Sequence, residues 1–117
     1  MLMEPVRITY DPDGDILYLT FGQPTAATGY QLSDQILLRV NPKTQSVAGL
    51  TICNYSIHAS TMRKSPLPGI DEDPDVKPTL LRILTTAPVN HFLRIAKRKQ
   101  GVSATLRSPS LQEAVAA

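Results

Sequence analysis

A triplet of aspartates, two histidines, one cysteine and a short cationic run are the residues whose types and spacing bear on chemistry. Asp11, Asp13 and Asp15 have the D-x-D-x-D spacing that opens a calcium loop. Such a loop also needs glycine at its sixth position and a bidentate glutamate at its twelfth. Counted from Asp11, those places hold Ile16 and Gly22, so the aspartates read as hairpin-turn residues instead. Cys53 stands five residues before His58, a spacing that permits a thiol–imidazole pair and an activated nucleophile. Its place at the end of a core strand points rather to an unreactive buried thiol. His91 has no serine or cysteine signature around it. No phosphate-cradling glycine loop or nucleophile elbow occurs.

Arg94, Lys97, Arg98 and Lys99 are the fourth candidate. Read on a helix, they place four cations within one and a half turns, where they can meet nucleic-acid phosphate. They equally oppose the negative end of the helix dipole. No helix-turn-helix pattern accompanies them, and aromatic residues make up only 5% of the chain. A solvated, dipole-compensating face is therefore the preferred reading.

The elements that must carry these residues are short, because 117 residues include ten prolines and six glycines. From Val6 to Asn54 the dominant signal is the two-residue period of strands. Val6, Ile8 and Tyr10 alternate with polar residues. Asp11-Pro12-Asp13-Gly14 then makes a tight turn into a second strand, Asp15–Phe21. Ile16, Leu17, Tyr18 and Leu19 give that strand apolar residues on both faces, which predicts cover on two sides and a central position. A weaker strand follows at about 26–32, then a fourth at 36–40 and a fifth at about 46–53. Connections of two to five residues predict antiparallel neighbours throughout and hence a five-stranded β-meander.

After Asn54 the pattern turns helical. A helix is expected over 55–64, capped by Asn54 or Ser56. The proline-rich, acidic stretch 65–78 reads as an extended, mobile linker. A helical extension is expected over 79–101. Its first helix covers 79–86, with Leu80, Leu81 and Leu84 on one stripe, and its second covers 89–99, with Phe92 on the apolar side. The stretch 102–117 reads as a frayed tail. The fold class is thus α+β, a β-meander domain over 1–64 followed by short C-terminal helices.

With 42% hydrophobic residues the chain supports one modest core. A single cysteine excludes an internal disulfide and a thiolate metal cage, which fits a cytoplasmic setting. The first residues lack a signal-peptide pattern, and no stretch approaches the roughly 20 apolar residues that cross a bilayer. Net charge is +2 overall, but residues 88–117 carry five bases and one acid against seven and nine in residues 1–87. That asymmetry permits an anionic partner near the C-terminus.

The run Ile8-Thr9-Tyr10-Asp11-Pro12-Asp13-Gly14-Asp15-Ile16-Leu17-Tyr18-Leu19, followed by Leu37-Leu38 and Val47-Ala48-Gly49-Leu50-Thr51-Ile52, resembles a small bacterial family called domain of unknown function 2283. The resemblance spans about residues 6–60. It implies a compact antiparallel sheet followed by a helix, no settled activity, and an antitoxin-like binding role suspected for some members. It brings no set of functional residues.

Together these readings give an expected function. A small sheet with apolar side chains on both faces needs a second cover, so a homodimer is expected. It forms either by packing sheet faces or by exchanging the helical extension, through Ile16, Leu17, Tyr18, Leu19, Leu80, Leu81, Leu84 and Phe92. The leading reading is a non-enzymatic interaction module without a cofactor or metal, open to a protein partner. The alternatives are a nucleic-acid-associated regulator using the four cations and a thiol enzyme around Cys53 and His58.

Overall fold

The computed structural model describes residues 5–116. Strands β1 (Val6–Asp11), β2 (Ile16–Phe21), β3 (Thr28–Gln31), β4 (Ile36–Asn41) and β5 (Ser46–Cys53) form one antiparallel sheet. Two of its hairpins use the same turn chemistry. In the β1–β2 turn the Asp11 carboxylate accepts the N–H groups of Asp13 and Gly14, and the turn leaves through Asp15 at φ 55°. In the β4–β5 turn Asn41 does the same for Lys43 and Thr44, and Gln45 leaves at φ 57°. Short side-chain acceptors at the first position and a left-handed residue at the last are what such turns require.

The expected meander is corrected. The strand order is β1-β2-β5-β4-β3, so β5 enters between β2 and β4, and the connection 22–27 carries the chain from β2 across to the far edge. Six extended residues reach about 20 Å, enough for three strand spacings of about 4.8 Å. Burial explains the choice. Ala48, Leu50 and Ile52 make β5 an apolar strand suited to the middle, whereas no residue of β3 is fully buried. A meander would seat that poor strand at the centre and leave β5 on an edge.

Helix α1 (Tyr55–Thr61) follows β5. Residues 65–78, expected as a mobile linker, instead carry a short strand, a 3-10 turn and the start of the next helix, and send two side chains into the core. Strand β6 (Ser65–Pro66) pairs with a later strand, and a 3-10 turn covers Pro68–Asp71. Leu67 and Ile70 are 1% and 0% exposed. Two apolar anchors in this polar stretch suffice to hold it, while Asp73 accepts N–H groups at the entry to α2 (Lys77–Leu84). That helix starts and ends two residues before the expected 79–86.

The second expected helix is also corrected. Val89–His91 is a 3-10 turn, Leu93–Arg98 is strand β7, and Gly101–Leu106, expected as frayed tail, is strand β8. They form a hairpin within a second sheet of order β6-β8-β7. Leu93 and Ile95 face Leu106 and Ala104 across the pair, a two-residue period that overrides the helical stripe through Val89, Phe92 and Ala96. A last helix, α3, spans Leu111–Ala116.

The core lies between the two sheets. Leu17, Leu19, Leu38, Leu50 and Ile52 from the first pack in one cluster with Leu93, Ala104 and Leu106 from the second and with Leu80, Ile83 and Leu84 from α2. No helix among the described residues is long and apolar enough to cross a membrane.

Candidate functional site

The aspartate triplet divides by role. Asp11 builds its own turn, whereas Asp15 reaches out of it. Its Oδ1 accepts from the Tyr10 hydroxyl at 2.7 Å and the Ser56 N–H at 3.0 Å, and its Oδ2 accepts from the Ser56 hydroxyl at 2.7 Å. Its backbone carbonyl takes the Tyr55 N–H at 3.0 Å. Tyr55 and Ser56 open α1, so Asp15 caps that helix from 41 residues away, in place of Asn54, which makes no side-chain cap bond. Burial alone would raise the Asp15 carboxyl. The hydrogen bonds from Ser56 and Tyr10 outweigh it and hold the group below the ordinary carboxylate value. Among the described residues no cluster of His, Cys, Asp or Glu is disposed to hold a metal ion.

His58, 6% exposed, has both ring nitrogens engaged. Nε2 lies 2.5 Å from Gln35 Oε1, and Nδ1 lies 3.3 Å from Ser65 Oγ. The amide oxygen can only accept, so Nε2 carries the proton and Nδ1 accepts from the serine. Burial, then the Arg63 charge, pushes the imidazole below its ordinary value and keeps it neutral; the Asp15 charge opposes them only in part. Ser65 and Gln35 also line the cleft between the β3–β4 turn and β6, about 400 Å³ in volume. A serine–imidazole–amide chain on a cleft is the skeleton of a nucleophilic relay, but the rest of the cleft opposes one. Asp34 and Glu72 line it with negative charge, and Pro66 and Pro68 have no N–H to offer. The Gly69 N–H is taken by the Leu32 carbonyl, and those of Gln35 and Ile36 by the Ser33 hydroxyl. The imidazole acts as a pin joining α1, the β3–β4 turn and β6.

Cys53 and His58 form no pair. Cys53 lies opposite Ile16 on β5, one residue out of phase with the buried Ile52, and so on the outer side of the first sheet. His58 turns inward to Gln35 and Ser65. Gln35 and Ser65 were not visible as its partners in the sequence, since they are 23 and 7 residues away and belong to no spaced motif.

The four cations do not line one helical stripe. Arg94 and Arg98 alternate with the core-facing Leu93 and Ile95 on β7, Lys97 falls on the opposite side, and Lys99 sits in the β7–β8 turn. All four are exposed.

Of the residues expected to meet a partner or pack helices, Leu17, Leu19, Leu80 and Leu84 are buried in the chain's own core, and Leu81 and Phe92 pack against it. Ile16 and Tyr18 remain. They stand on the outer face of the first sheet, together with Leu37, Thr51 and Cys53. Tyr18 is 40% exposed near the middle of that face. The expected cover on the second side of β2 is thus not supplied by any described element. Around Tyr18 the face is small or hydroxylated. Gly49, Thr51 and Thr20 neighbour it, and a Cβ on Gly49 would sit 3.8 Å from Arg39 Cδ, so the arginine side chain lies across the glycine.

Fold and face together define a two-sheet α+β protein with a pinned imidazole and one sheet face that no described element covers. Residues 7–56, which hold all of the first sheet but Val6, together with the opening of α1, match the family model described as Protein of unknown function (DUF2283). No curated protein and no solved structure gives a significant match.

Proposed function

We propose that the chain is a non-enzymatic interaction module that pairs with a second copy through the outer face of its first sheet. The observation that carries this reading is Tyr18, a large aromatic 40% exposed on a face whose other apolar members, Ile16, Leu37 and Cys53, lie outside the packed core. Apolar area brought together on a flat face is the usual driving force of association. Exchange of the C-terminal segment is the weaker route, because that segment fills the chain's own core. Sedimentation or light scattering at micromolar concentration should give twice the mass of the chain. Tyr18→Glu should give the mass of one chain with an unchanged circular dichroism spectrum, since the substituted side chain supports no core contact. A single-chain mass for the unaltered protein would overturn the proposal.

A second reading rests on the exposure of Arg94, Lys97, Arg98 and Lys99 on one hairpin, a shape that suits a nucleic-acid groove. Affinity for nucleic acid should then fall with salt at about 0.9 log units per phosphate contacted, per log unit of salt. Replacing all four by alanine should abolish the binding, and unchanged retention would end this reading.

A further inference from the structure

The cross-strand register sorts the outer face into three rows. Arg7, Thr20, Gly49 and Arg39 form the first row, from β1 through β2 and β5 to β4. Thr9, Tyr18, Thr51 and Leu37 form the middle row. Asp11, Ile16 and Cys53 form the third. Charge is therefore polarised along the strands, with two cations at one end of the face and a carboxylate at the other. The hydrogen bonds from Asp13 and Gly14 hold that carboxylate in a fixed orientation.

Resting on the reading that two copies pack by this face, we infer that their two-fold axis lies in the interface along the middle row, so that each Arg7 meets the partner's Asp11. A two-fold contact is self-complementary, and only the direction of the axis is open. An axis parallel to the strands lays each first row over its own mate and gathers four arginines on one line, a juxtaposition of like charges that opposes association. An axis across the strands exchanges the first and third rows. Arg7 then lies over the partner's Asp11 at the rim. Tyr18 packs beside the partner's Tyr18 at the centre. Near-aligned stacking of two such sheets is the common mode of sheet-on-sheet packing.

Charge exchange tests the axis separately from the association. Arg7→Glu should weaken the dimer about ten-fold or more, Asp11→Lys should do the same, and Arg7→Glu with Asp11→Lys should restore it. Because Asp11 also supports its turn, Asp11→Asn serves as a second probe: it keeps the acceptor, removes the charge, and should weaken association while leaving the fold intact. A dimer indifferent to Arg7→Glu and Asp11→Asn would overturn the axis and leave the interaction reading standing. An unaltered protein that sediments as one chain would remove both.

Discussion

Gly69→Ala is expected to destabilise the fold by about 3 kcal/mol, measured by urea unfolding at fixed protein concentration. A Cβ at this position would lie 2.0 Å from the Gln31 carbonyl oxygen and 2.9 Å from Leu32 Cα. Both are backbone atoms with no rotamer to yield, so the 3-10 turn must lift away from the end of β3. That motion breaks the Gly69 N–H bond to the Leu32 carbonyl and loosens Leu67 and Ile70, the two anchors of the segment. Overpacking of this kind costs about 1–3 kcal/mol, and each buried aliphatic side chain contributes about 1.5–3 kcal/mol. Even partial exposure of one anchor brings the total to the expected figure, a fall in Tm of more than about 10 °C. Gly29→Ala is the control. Its Cβ would meet only Leu37 Cδ1 at 3.4 Å, and stability should change by less than about 0.5 kcal/mol. Equal midpoints for the two variants would mean that the close approach at Gly69 is not needed.

All five strands of the first sheet were legible because each carries its own period and is bounded by its own turn residues. Their order was not. Adjacency of consecutive strands is a rule of local economy, and here the apolar content of β5 competes with it for the centre of the sheet. The second sheet was missed for a different reason. Val89, Phe92, Leu93 and Ala96 satisfy a helical period as well as Leu93, Ile95, Val102, Ala104 and Leu106 satisfy a strand period. Only the alternation in β8, which Gly101 opens after the Lys99-Gln100 turn, distinguishes them. The linker reading failed on composition, since acids and prolines dominate 65–78 while two side chains decide its fate. Of the clustered polar groups, Asp15 was recognised as a turn residue, but its capping of α1 joins positions 41 residues apart. His58 stood out as one of two histidines, yet its role depends on Gln35 and Ser65, which no local motif connects to it.

The capping role of Asp15 leads to the other large effect. Asp15→Gly should cost about 2 kcal/mol, because it removes a charged acceptor of three hydrogen bonds, one of them to a first-turn N–H of α1. Glycine is the informative substitution, since Asp15 holds φ 55° and alanine would add backbone strain to the lost contacts. Asp15→Asn keeps one acceptor and tolerates the left-handed backbone, so about half the loss is expected. Acid titration separates this residue from His58. The Asp15 carboxyl is depressed in the folded chain, so the unfolded chain binds its proton more readily. The stabilisation is complete above the ordinary carboxylate value of 3.8 and drains away as pH falls through the lower folded value. His58 is also depressed, by burial and then by Arg63, with Asp15 acting against them. Its contribution is whole above the ordinary histidine value of 6.5 and is lost as pH drops through its lower folded value. Stability should therefore fall in two stages on acidification. Asp15→Asn should flatten the lower stage and enlarge the upper one, because it removes the charge that opposes the lowering of His58, whereas His58→Gln should remove the upper stage and leave a lower one, read from urea midpoints across pH 2 to 8. A lower stage that persists in Asp15→Asn would show that the helix cap does not carry the acid sensitivity, and that the pairing of Asp15 with Ser56 contributes little to holding α1 against the sheet.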